Sequence, residues 1–300
     1  MYKLLITSIL NLIIVFFCPY VFASGKSCLV MVISGSPTRD FWAETIDGAR
    51  RASEELGYTL YIRGTVNDKD SKSQIEALSF LMKSHNCVGI LVAPADISLN
   101  SAINLYLSQN IPVIYFDRDF GGSRLASVTT DNYQAGVLAA RIMTQHLDSK
   151  GDVVLFRVKK GIESTDKREQ GFIDESVRLG LNIIAAPYVG TRVGESRATI
   201  SAVLSAISNI NGIFTPNDTS TTGVIAERRL LSLASTVVHI GFDESEYIKE
   251  SLNNRALAGY LKQDAFRFGY DGVYLIHDAL NDRLDINHSD IRIPASYISK

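Results

Sequence analysis

From Cys28 almost to the last residue, short apolar runs alternate with stretches in which apolar residues return every third or fourth position. Continuous or alternating apolarity marks strands and a period of 3.6 marks amphipathic helices, so this alternation predicts βα units wound around parallel sheets. The first-half strands are CLVMVIS, YTLYIR, VGILVAP and IPVIYF, with helices predicted over 40–56, 71–84 and 98–108. Ile46, Ala49, Ala52 and Leu56 share one face of the first helix, and Gly57 supplies its left-handed stop. The second half repeats the plan with DVVLFRV, LNIIAAPYV, INGIFTP, TVVHIGF and LAGYLK, and with helices over 167–179, 195–208, 219–231 and 245–253. No Pro/Gly/Ser-rich linker separates the halves. The predicted fold is therefore α/β: two doubly wound parallel-sheet lobes joined by short crossings that form a hinge.

Several strands break off into polar groups. Asp117 and Arg118 follow IPVIYF, Asn217 and Asp218 follow INGIFTP, Asp243 follows VVHIGF, and Gln263 follows LAGYLK. Side chains at the carboxyl ends of parallel strands point into a crevice that the helices leave uncovered. Acids, amides and guanidinium groups, without cysteine or histidine among them, suit a ligand covered with hydroxyls: carboxylates accept, and a planar guanidinium donates in a fork. Each residue also has a purely structural reading. Asp117 can cap a turn, Asn217, Asp218 or Asp243 can cap a helix, Gln263 can be a surface amide, and Arg168 can be a solvated helix residue.

The N-terminus sets the compartment. Lys3, the uncharged run from Leu4 to Tyr20, and Val21-Phe22-Ala23 have the layout of a secretory signal peptide over residues 1–23, with a single membrane anchor as the alternative. No later segment is long and apolar enough to span a bilayer, so direct membrane insertion is not expected. The formal charge of −2 becomes −3 without Lys3, and with no basic cluster a nucleic-acid partner is disfavoured. Loss of Cys18 leaves Cys28 and Cys87, an even number in an oxidising compartment. They open the first and third strands, parallel neighbours in the order 2-1-3-4-5, close enough for a disulfide; two buried free thiols are the alternative.

The strings FWAETIDGARRASEELGY, IPVIYFDRD, TTDNYQAG, REQGF, IFTPND and HIGFDE, then Gln263 with Gly269, fall in one order along the chain. In this they resemble the ribose-binding branch of the periplasmic type I sugar-binding proteins, whose fold also forms the effector domain of LacI-type repressors. The resemblance implies that Phe41 and Trp42 sandwich a sugar ring and that Asp117, Arg118, Arg168, Asn217, Asp243 and Gln263 form the polar shell. It further implies one lobe over 28–131 plus 264–293 and the other over 132–263 plus 294–300. Two departures stand out: Arg39 occupies the place of an asparagine, and Gly190 that of a stacking phenylalanine. Arg39 thereby joins the candidate ligand residues, either selecting an acidic or otherwise decorated sugar or facing solvent.

The expected activity is capture of a monosaccharide or sugar-like ligand in the periplasm by a monomer that needs no cofactor or metal. The expected partner is a membrane permease of the ABC type, or a sensor kinase or chemoreceptor that reads occupancy. Motifs for nucleophile elbows, zinc peptidases, dinucleotide folds and phosphate loops are absent, and the five histidines lack ligand spacing. A glycosidase pair of Asp117 and Asp243 is the enzymatic alternative.

Overall fold

In a computed structural model, the chain is described over residues 27–66, 70–148, 150–232, 236–285 and 290–300. The expected signal peptide lies outside the described residues.

Two six-stranded sheets each form the centre of one α/β lobe. In the first, β1 (Cys28–Ile33), β2 (Thr59–Gly64), β3 (Gly89–Val92), β4 (Val113–Phe116) and β5 (Ala126–Thr130) run in the order β2-β1-β3-β4-β5. The helices between them are α1 (Asp40–Leu56), α2 (Ser71–His85) and α3 (Leu99–Leu107). The second lobe opens with α4 (Asn132–His146), then β6 (Asp152–Leu155), α5 (Glu163–Leu179), β7 (Asn182–Ala185), α6 (Val193–Ala206) and β8 (Gly212–Phe214). It continues through α7 (Asp218–Leu230), β9 (Val238–Phe242), α8 (Glu246–Asn253) and β10 (Gly259–Lys262). Its strands repeat the same order, β7-β6-β8-β9-β10. The chain then returns to the first lobe with α9 (Ala265–Leu280) and β11 (Ile291–Ile293), which pairs parallel to β5. It ends in β12 (Ser296–Ser299), antiparallel to β10 in the second sheet.

Both sheets carry apolar cores on each face, which is why strands such as CLVMVI are buried along their whole length. The hydrophobic run predicts these central strands without alternation. Gly57 ends α1 at φ 78°, its N–H reaching the Ser53 and Glu54 carbonyls. The Cys28 and Cys87 sulfurs are bonded, with their Cα atoms 4.6 Å apart. His239 is fully buried inside the second lobe, where its Nε2 meets the Thr215 hydroxyl at 2.9 Å.

Elements absent from the sequence reading are α4, α9, β5, β11 and β12. The two helices have a common packing device. A Cβ on Gly48 of α1 would collide with the Phe266 carbonyl of α9, and one on Gly269 of α9 would collide with the Thr45 carbonyl of α1. Gly136 of α4 and Gly171 of α5 stand in the same relation to Arg168 and Tyr133. Among the described residues each lobe thus shows a backbone-to-backbone helix crossing, and in each case one partner is a helix entered directly from a crossing between lobes. No helix among the described residues is long and apolar enough to cross a membrane.

Candidate ligand-binding cleft

The loops at the carboxyl ends of the strands face one another across a cavity of about 690 Å³. Arg39, Phe41, Trp42, Asp117, Arg118, Arg168, Asn217, Asp243 and Gln263 all line it. The first five come from the first lobe, the next three from the second, and Gln263 from the crossing between β10 and α9.

The two strand-end acids are presented by the same backbone device. The N–H of Asp117 continues the ladder to Val128 of β5 at 3.0 Å, and the N–H of Asp243 continues it to Leu261 of β10 at 2.8 Å. Each acid then turns left-handed, at φ 63° for Asp117 and 67° for Asp243. Such values are uncommon outside glycine and are best tolerated by Asp and Asn, and their appearance where a strand stops is typical of functional positions. At Asp117 the turn is closed by the Arg118 N–H donating to Phe116 at 2.7 Å. This places the Arg118 guanidinium 3.4 Å from the Asp117 carboxylate.

Arg168 is buried and spans elements. Its Nε donates to Asn132 at 2.8 Å and its Nη1 to the Pro216 carbonyl at 3.0 Å, while the guanidinium lies 3.8 Å from the centre of the Phe242 ring. Burial pulls its pKa down, and the carboxylates of Asp243 and Asp117 oppose that pull. The solvated-helix reading of Arg168 therefore does not describe this side chain.

Asp243 is held by Gln263, whose Nε2 donates to Oδ1 at 2.7 Å, and by the Asp218 N–H at 3.2 Å. The Gln263 Oε1 in turn accepts from the Thr130 hydroxyl at 2.7 Å, so one amide ties the end of β5 to the end of β9. Asn217 combines two roles that the sequence leaves open. Its Oδ1 caps α7 by accepting from the Ser220 N–H at 3.0 Å, while the residue also lines the cavity, so its NH₂ group is the part left for a ligand.

Trp42 is 3% exposed and belongs to the first-lobe core as well as to the cavity wall. Phe41 stands edge-on to it at 4.8 Å and 77°, and Phe116 backs it at 6.1 Å. The pair therefore presents a supported apolar surface. Gly190 does not line the cavity; its backbone bonds Val158 at 2.9 Å, and Thr191 and Arg192 form the wall there instead.

Asp218, Phe120 and Arg192 also line the cleft and are absent from the candidate set. Asp218 adjoins Asn217 at the start of α7, a neighbour relation visible in the sequence, although a first-turn acid is ordinarily a helix-dipole partner. Burial pushes its carboxyl up, Asp243 adds to that push, and Arg39 opposes it.

The arrangement offers fixed donors, fixed acceptors and an aromatic face between two lobes, which suits recognition of a polar ring. A family model described as a periplasmic binding protein domain matches residues 29–284. The D-apiose import binding protein of Actinobacillus succinogenes is 25% identical over 256 residues, covering 83% of this chain and 80% of that protein. The ribose import binding protein of Escherichia coli is 23% identical over 255 residues, covering 84% of each. Among solved structures, the periplasmic component of an ABC-type sugar transport system from Hahella chejuensis superposes with a TM-score of 0.81 at 30% identity. It covers 91% of this chain and 100% of its own. A solute binding protein from Agrobacterium vitis bound to α-D-tagatopyranose gives 0.81 at 22% identity, with 92% and 95% covered, a likeness of fold. With its fold, its cleft and the family match in agreement, the chain belongs to the periplasmic binding proteins.

Proposed function

We propose that this protein captures a monosaccharide or sugar-like ligand between its lobes in the periplasm and presents it to an ABC importer. The observation that carries this reading is the convergence of the Asp117–Arg118 pair, Arg168, Asn217 and Asp243 on one cavity walled by Trp42. Carboxylates and guanidiniums in pairs match the mixed donors and acceptors of a sugar rim, while Trp42 and Phe41, in edge contact with each other and so on one side of a ring rather than sandwiching it, match one C–H face. Hydrogen bonds to charged groups contribute roughly 1.5–3 kcal/mol each. Three or four such gains reach the roughly 8 kcal/mol of a micromolar binder. The import role is supported by the relatives, two of which are import binding proteins for D-apiose and ribose.

The lobes are taken as 28–131 plus 264–293 and 132–263 plus 294–300, with the crossings as the hinge. Sugar docks on one lobe, and the other closes because only the closed arrangement completes its hydrogen bonds. A titration of purified protein with pentoses, hexoses, sugar acids and sugar alcohols tests this, read by the emission of Trp42, the single tryptophan. Binding at 100-fold excess over Kd should add about 2.7 kcal/mol of stability. That corresponds to a rise in Tm of roughly 5–10 °C. An unchanged emission and Tm across the whole panel overturns the reading.

A further inference from the structure

The crossings between lobes and the floor of the cleft share hydrogen bonds. Asp131 alone separates the last residue of β5 from the first residue of α4, where the chain first passes from one lobe to the other. Its N–H donates to the Ile293 carbonyl at 2.9 Å, which joins this crossing to the third one, where β11 ends. The second crossing opens at Gln263, directly after β10.

Thr130 precedes Asp131 and Asn132 follows it, and both are buried. Neither lines the cavity, yet each holds a side chain that does. Asn132 accepts from the Nε of Arg168 at 2.8 Å. The Thr130 hydroxyl donates to the Gln263 Oε1 at 2.7 Å, and the Gln263 Nε2 donates to the Asp243 Oδ1 at 2.7 Å. The line Thr130–Gln263–Asp243 thus starts on a strand of the first sheet, passes through the second crossing and ends on the acid that follows β9 of the second sheet.

The line has a direction. A carboxylate accepts, so Asp243 takes the NH₂ end of the amide and the amide oxygen is left facing Thr130. A threonine hydroxyl can donate to that oxygen, whereas a valine of nearly the same shape cannot. Gln263 is buried and pinned at both ends. Asp243 also accepts from the Asp218 N–H on its other oxygen at 3.2 Å, so the carboxylate is clamped on both oxygens by the protein itself.

Resting on the sugar-binding reading above, we propose that Thr130 is a positioning residue for the ligand: without touching it, the hydroxyl fixes Gln263 and, through Gln263, the Asp243 carboxylate. The amide then does not have to be immobilised when sugar arrives, and the cost of ordering it falls on folding rather than on binding. Since Gln263 belongs to a crossing, the bond that orients the grip also ties it to the hinge.

The test is calorimetric titration with the best sugar of the panel. Thr130→Val removes the hydroxyl and Thr130→Ser keeps it. The valine variant should bind roughly 3- to 10-fold more weakly, the size expected for immobilising one side chain on binding, and serine should return affinity to within about twofold of the parent. A double-mutant cycle separates this role from a general loss of packing. In a Gln263→Ala background, where the relay is already cut, Thr130→Val should cost less than about twofold. Unchanged affinity in Thr130→Val, failure of serine to restore what valine loses, or an equal loss with and without Gln263 overturns the positioning role and leaves sugar capture standing. Failure of the wild-type protein to bind any sugar of the panel removes the sugar reading and this inference with it.

Discussion

Single residues decide what the cleft can hold because several of them do two things at once. Asn217 caps α7 with its oxygen and keeps its nitrogen for the cavity, and Gln263 fixes Asp243 with one end of its amide and Thr130 with the other. Asp117 supplies a carboxylate and also tolerates a left-handed backbone. These roles can be separated by substitution. Asp117→Asn keeps a residue suited to φ 63°, so its Tm should stay within about 2 °C of the parent while sugar affinity falls roughly 10- to 100-fold, as expected for a lost charge-assisted bond. Asp117→Val places a β-branched residue at that angle and should lower Tm as well, by an amount corresponding to about 1–3 kcal/mol. Calorimetry on the two variants checks both; equal Tm losses would show that the backbone makes no special demand here.

At the scale of elements, the legible parts are those whose instructions are local. Strands β1, β3 and β4 are continuous apolar runs, and α1 combines a regular face with Gly57 at its end. The helix α9 carries AFRFGYDGVY, aromatics and glycines with modest helix propensity, and it forms because Gly269 and Gly48 let it lie against α1. That instruction is tertiary and is written in two places 221 residues apart. The strand-end polar residues were readable for the same local reason as the strands, whereas Arg168 drew attention only through its resemblance to a known motif. Its burial follows from the α4–α5 crossing and its bond to Asn132, neither of which local pattern reveals. The same helix pair carries a pH-sensitive cluster. Glu175 of α5 bonds Arg178 at 2.7 Å and Arg141 of α4 at 2.6 Å, which pulls its carboxyl down to about 2. Because the folded pKa is depressed, this cluster stabilises the fold above the unfolded value near 4.5, and the contribution disappears as pH falls toward 2. Glu175→Gln should therefore lower Tm at pH 7 and converge with the parent as pH approaches 2; a Tm difference constant with pH would contradict this.

For the molecule as a whole, the two lobes share strand order, a left-handed acid at one strand end and a glycine-paired helix crossing. They differ in one covalent respect, since the Cys28–Cys87 bond lies in the first lobe. It closes a loop spanning 59 positions, for which the chain-entropy relation gives about 4 kcal/mol. Thiol titration of the denatured, exported protein should find no free thiol, and reduction should lower Tm without altering the sugar site; two reactive thiols before reduction would refute the bond.

The last crossing, from β11 into an antiparallel β12, gives the lobes a third tether beside those at Asp131 and Gln263. Two strings between rigid bodies leave them free to swing and to wring about each other. A third, side by side with the first two, removes the wringing and leaves a jaw with one stroke. On the closure proposed above, both outer rims move with the cleft along a single coordinate, and a partner touching both rims would sense whether the jaw is shut without touching its contents.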